Sequence, residues 1–218
     1  MNQDNMQNII ADFYRVCVFG NKNPEIKDVA KRAYRDLCRT IRDTNQDIRD
    51  KAKNEVFDFI TLEIEKLENK EYSDYDKFHE TLCGGIIDIY KNHKVKFYYG
   101  QAQKWVNMLM KYLCVLGVER FPWLKGMYHY LHIPIDSIIL DLAINELKIN
   151  TVTVKSRNIS LKNITWSRIE DKEIYDAIQT ELRRAIEARN EIPIIWEFNA
   201  WNSTIQNKQL TQIVKSDI

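Results

Sequence analysis

An amine and a carboxylate, 32 residues apart, are the groups of this chain best placed to do chemistry. Lys104 ends the stretch Tyr98-Tyr99-Gly100-Gln101-Ala102-Gln103-Lys104, where a glycine turn feeds what reads as the first turn of a long amphipathic helix. Asp136 follows the extended segment His132-Ile133-Pro134-Ile135 and opens onto Ser137 and another helix. By ordinary usage such an aspartate is an N-cap and such a lysine is solvated surface. The chemical reading of the same pair is sharper. A lysine that is neutral near pH 7 can attack the anomeric carbon of a sugar and form a Schiff base, which permits strand cleavage by β-elimination. A helix N-terminus and basic neighbours both disfavour the charged amine. An ionised carboxylate stabilises the positive charge that develops on a sugar as its bond to a base breaks.

The charge around the pair points to a polyanion. The formal net charge is only +1, yet from Lys91 to Lys125 there are seven basic residues (Lys91, Lys94, Lys96, Lys104, Lys111, Arg120, Lys125) against the single acid Glu119. A second cluster, Lys31, Arg32, Arg35, Arg39 and Arg42, is offset before Asp43 only by Asp36. Such patches release counterions on meeting phosphates and so supply affinity without sequence choice. At helical spacing, Arg35, Arg39 and Arg42 read equally well as one solvated face.

The order and spacing of these two motifs resemble the helix-hairpin-helix DNA glycosylase superfamily, and most of all its archaeal branch that removes oxidised guanine. Further features fit: Lys111 seven residues beyond Lys104, the run Tyr175 to Arg184 containing Ala177-Ile178-Gln179, and Ile192-Pro193 followed by Glu197 and Trp201. The resemblance covers Gly100 to Trp201. It implies that Lys104 and Asp136 are the catalytic pair and that Glu197 contacts an extruded base, with the aromatic Trp201 four positions on. The glycine-rich hairpin that most members carry before the lysine is absent; only Gly100 remains. Glycosylases extrude the target nucleotide into a pocket where the base is stacked and its edge is read. Tyr99, Glu197 and Trp201 are therefore expected to form the base pocket, and Lys94, Lys96, Gly100, Gln101 and Lys111 to contact DNA. Trp196 reads instead as a core aromatic. His129 and His132 lack acidic or cysteine partners at ligand spacing and read as structural.

Composition narrows the remaining classes. With 218 residues and 44% hydrophobic content, the chain can bury a full core and is expected to form a single domain over residues 1–218, of two helical lobes. Low-complexity segments and repeats are absent. No apolar run approaches the roughly 20 residues of a membrane span, and the N-terminus lacks a basic-then-apolar signal, so a cytoplasmic protein is expected. Cys17, Cys38, Cys83 and Cys114 are widely spaced without a CxxC pair, which points away from zinc and iron-sulfur sites and toward reduced thiols.

The elements that must position the pair are mainly helical. Apolar residues recur at helical spacing over residues 5–20, 25–42, 46–70 and 74–92, with Gly84-Gly85 inside the last. From Gln101 to Gly117, Trp105, Met108, Leu109, Tyr112 and Leu116 make one stripe ended by a glycine cap. Ser137 to Leu147, Asp171 to Arg189 and Ile194 to Ile205 complete the helices, and the weak alternation over 151–166 predicts a short β-hairpin. The chain is thus expected to be a mainly α, two-lobed DNA N-glycosylase. It should act without cofactor or metal, as a monomer on double-stranded DNA containing a modified base, to leave an abasic site. Oxidised guanine and the heavily modified bases of phage DNA, such as glucosylated hydroxymethylcytosine removed in antiphage defence, are the two substrate readings. The Lys/Asn/Ile-rich, glycine-poor composition favours the second. Of other classes, a helical ribonuclease would carry an arginine four to six residues before a histidine, and the nearest pair here, Arg120 and His129, is nine apart. A non-catalytic helical nucleic-acid-binding protein would tolerate replacement of Lys104 and Asp136.

Overall fold

The computed structural model describes the backbone of residues 3–42 and 45–216 and the side chains of residues 6–42 and 45–206. The main regular elements among the described residues are eight α-helices and one two-stranded antiparallel sheet: α1 (Gln3–Phe19), α2 (Ile26–Arg35), α3 (Gln46–Glu68), α4 (Tyr75–Asn92), α5 (Tyr99–Leu116), α6 (Ser137–Asn145), β1 (Thr151–Val154), β2 (Arg157–Ser160), α7 (Lys172–Glu187) and α8 (Pro193–Ser216). The fold is mainly α with a short hairpin, as the periodicity predicts.

Helix starts follow local chemistry. Asn45 and Asp74 cap α3 and α4 by accepting from Asp47 N and Lys77 N. In α5 the Gln101 side chain reaches back to accept from Tyr98 N at 2.9 Å, so the helix begins at Tyr99, two residues earlier than its apolar stripe suggests. The helix expected over 25–42 stops at Arg35 instead. Asp36 is held there by Arg32 and by the Tyr112 hydroxyl of α5, and the chain turns into a short 3-10 segment, Cys38–Thr40. The hairpin turns at Lys155 and Ser156, both at positive φ, the two-residue turn that matches strand twist. It occupies residues 151–160 of the expected 151–166, and 3-10 turns follow at Leu161–Asn163 and Trp166–Arg168.

Helix α5 runs through the centre. Trp105 is fully buried, donates to Ala30 O at 3.0 Å and packs within 6.4 Å of the rings of Tyr34, Phe57, Tyr90 and Phe97. On one side α5 packs against α2 and α4, which also pack on α3; beyond it α7 and α8 pack together with α6 and β1. The apolar core is continuous from Val29 to Trp196. Two glycines permit close approaches. A Cβ at Gly85 would fall 2.2 Å from the Phe59 ring, bringing α4 onto α3, and one at Gly100 would fall 1.8 Å from the Trp166 carbonyl oxygen. Among the described residues no helix is long and apolar enough to cross a membrane.

Candidate active site

Asp136 caps α6 with one carboxylate oxygen and meets Lys104 with the other. Its Oδ1 accepts from Ile139 N at 3.0 Å, while Oδ2 accepts from Lys104 Nζ at 2.7 Å. The side chains keep only 7% (Lys104) and 15% (Asp136) of their surface in contact with solvent. The carboxylate is therefore fixed from two directions. Because α5 starts at Tyr99, Lys104 lies in its second turn, not the first as the sequence suggests; terminal dipole effects fade within one turn, so the nearest charge it meets is Asp136.

A second ion pair lies beside the first. Lys111, two turns further along α5, donates to Glu197 Oε1 of α8 at 2.8 Å. Its Nζ also lies 2.6 Å from Oε2, an ionic contact without hydrogen-bond geometry, so that buried oxygen accepts no hydrogen bond. Burial pushes the Glu197 carboxyl up; Lys111 and then Lys104 pull it down, and Asp136 pushes it up again. Lys104 and Asp136 therefore stand near enough to Glu197 to bear on its charge, which groups the two pairs as one cluster. The Lys111 ammonium stands 4.8 Å from the Phe198 ring centre and 5.2 Å from that of Trp201, which is exposed. An aromatic wall beside a carboxylate is a combination suited to a planar N–H-bearing group.

The segment leading to Asp136 is held by uncharged side chains. Gln103 of α5 donates to Ile135 O at 2.8 Å and accepts from Ile135 N at 3.1 Å. Gln179 of α7 does the same at Ile133, donating to its carbonyl at 2.6 Å and accepting from its amide at 3.2 Å. Each glutamine replaces a neighbouring strand. Asn107 joins Gln103 to the Tyr175 hydroxyl at 3.0 Å on each side, and that hydroxyl lies 2.8 Å from His132 Nδ1 and 3.1 Å from His79 Nε2. Asp76 holds the other nitrogen of His132 at 2.8 Å. Burial, then His132 nearby, keep His79 well below the ordinary histidine range. A cavity of about 1020 Å³ opens on this network, lined among others by Asp76, His79, His132, Gln179 and Arg183. None of the four charged residues of the Lys104 cluster lines it, so its size does not make it the seat of the chemistry.

The structure brings Lys104, Asp136, Lys111, Glu197 and Trp201 together. It places the other expected residues elsewhere. Tyr99 is in the core, its ring 5.3 Å from that of Tyr175. Gly100 and Gln101 are buried, with the Gly100 amide given to Ile169 O at 2.9 Å and the Gln101 side-chain amide to Thr40 at 3.0 Å, so neither offers a donor to a phosphate. Lys111 points inward to Glu197, while Lys94 and Lys96 are exposed. Trp196 is core, donating to Glu146 Oε1 at 3.2 Å. Sequence reasoning missed Gln103 and Asn107. Their signal was present, since two amides four apart on a helix face otherwise apolar must find partners when buried. Comparison with family models, curated proteins and solved structures finds no match for the chain.

Proposed function

We propose that the protein is a DNA N-glycosylase that extrudes a modified base from the duplex and cleaves its bond to the sugar. One observation carries the reading: a lysine and an aspartate 2.7 Å apart, largely withdrawn from water, share an electrostatic cluster with a second pair that ends in an aromatic wall. A protein that only held phosphates would gain nothing by burying them. Asp136, fixed by its cap bond and by Lys104, stabilises the oxocarbenium-like sugar as the base departs with the bonding electrons. In the hydrolytic branch water bonds to the anomeric carbon, its proton passes to the departing base, and Lys104 remains the partner of Asp136. In the lyase branch the Lys104 proton passes through Asp136 to the departing base, so the carboxylate is ionised again as the freed amine bonds to the anomeric carbon and the bond to the base breaks. Glu197 and Trp201 read the extruded base, Glu197 once the base displaces the Lys111 contact that buries its carboxylate.

The substrate reading favoured here is a heavily modified base of phage DNA, such as glucosylated hydroxymethylcytosine, in antiphage defence; oxidised guanine is the repair alternative. Purified protein incubated with modified-base duplexes and phage genomic DNAs should release one class of base, identified by mass spectrometry. Binding to all of these DNAs with no base released from any would leave the non-catalytic nucleic-acid-binding reading in its place.

A further inference from the structure

Two basic clusters far apart in sequence meet at the N-terminal end of α5, one turn before Lys104. A cleft of about 780 Å³ is lined there by Arg39 and Arg42, by Lys94 and Lys96, and by Arg168, with Tyr98 in its wall and no carboxylate among its lining residues. Arg39, Arg42, Lys94, Lys96 and Arg168 are all exposed. Two consecutive residues hold the cleft together. The Gln101 side chain donates to both Thr40 O and Thr40 Oγ1 at 3.0 Å, fastening the turn that carries Arg39 and Arg42. Gly100 donates its amide to Ile169 O at 2.9 Å and has no Cβ to meet the Trp166 carbonyl, so the turn carrying Arg168 packs directly against α5.

We propose that this cleft is the phosphodiester-binding surface of the protein, with Gly100 and Gln101 as its positioning residues and Arg39, Arg42, Lys94, Lys96 and Arg168 as its contacts. The proposal takes its partner, duplex DNA, from the functional reading above and adds the surface that grips it. Five cations spread along a volume far larger than one phosphate fit a run of backbone phosphates and not a single small anion. Lys96 is held in an ion pair: its ammonium lies 2.9 Å from Glu170 and 4.6 Å from the Tyr98 ring centre. That pairing holds one cation in reserve, since an exposed ion pair of this kind is weak enough for a phosphate to displace the carboxylate.

The test is the salt dependence of binding to an unmodified duplex, followed by fluorescence anisotropy, so that a failure of base release leaves it untouched. Each phosphate contact adds about 0.9 to the slope of log K against log salt. The double variant Arg39→Gln/Arg168→Gln should lower the slope by roughly 1.8. Glu170→Gln should raise it by up to about 0.9, a gain that misfolding cannot mimic. Slopes that do not move in these opposite directions overturn the proposal. So does inorganic phosphate, titrated into the wild type, if it saturates the cleft at micromolar concentration and the double variant loses phosphate binding while keeping its duplex slope.

Discussion

Adjacent faces of α5 carry two polar clusters of opposite character. On one, Gln103 and Asn107 work with Gln179 and Tyr175 as uncharged groups that satisfy the backbone of residues 133–135. On the other, Lys104 and Lys111 are ionic partners of Asp136 and Glu197, drawn out of water. The first cluster does what a strand would do, and the segment could not be buried without it. The second is one that folding alone does not explain. Desolvating ion pairs offsets most of their attraction, and apolar replacements of similar volume are often neutral or stabilising. Stability therefore accounts for the amides, and the proposed chemistry would account for the charges.

The contrast can be broken most severely at Lys104. Lys104→Gln should lower base release by roughly 10²- to 10³-fold, the scale for losing a group that acts on developing charge, while the protein stays folded. If the enzyme is a lyase, the same change should remove the protein-DNA crosslink that borohydride traps in the wild type. On the amide face the expected loss is in folding. Gln179→Leu strands the Ile133 amide and leaves its carbonyl only the Asn107 bond at 3.3 Å, and should cost about 2 kcal/mol in urea unfolding, from roughly 1–3 kcal/mol for a buried orphan group. A Gln179→Leu variant as stable as the wild type would remove the distinction between the two faces.

Smaller effects sharpen it. The double change Lys111→Met/Glu197→Leu should leave thermal stability equal or raised by about 1–2 kcal/mol while base release is lost, whereas Lys111→Met alone should destabilise by leaving Glu197 unpaired. The smallest effect is on pH. His79 stays neutral when folded, facing His132 and Lys172, but titrates near 6.5 when unfolded. Its contribution is fully present above that value and is lost as pH falls, because the unfolded chain takes up a proton that the folded one refuses. Between pH 6.5 and 5.5 this should remove about 1 kcal/mol of stability, and His79→Gln should flatten that slope in urea titrations at the two pH values.

Most of the helices, the hairpin and the Asp136 cap are legible in the amino-acid sequence, because periodicity and capping depend on neighbours along the chain. Long-range partners are not legible in that way. Tyr99 adjoins the candidate site in sequence, yet it precedes Lys104 by five residues, which at about 100° per residue turns it far around the helix. Gly100 looks like the remnant of a phosphate-binding turn; only the Trp166 carbonyl packed on it shows why a side chain is excluded. The pairing of Lys111 with Glu197 joins residues 86 apart and leaves no local trace. The two basic clusters stand out in the sequence, but their meeting in one cleft depends on Gln101 and Gly100 holding separate turns.

The most direct measurement is base release by Asp136→Asn against the wild type, on whichever DNA the wild type attacks, with thermal unfolding and duplex binding followed in parallel. Asparagine keeps an oxygen to cap α6 at Ile139 and removes the negative charge. With Asp136 acting on the sugar, release should fall by about 10²-fold or more while folding and binding persist. Release at the wild-type rate by a folded, DNA-binding Asp136→Asn protein would contradict the assignment of this pair to the chemistry.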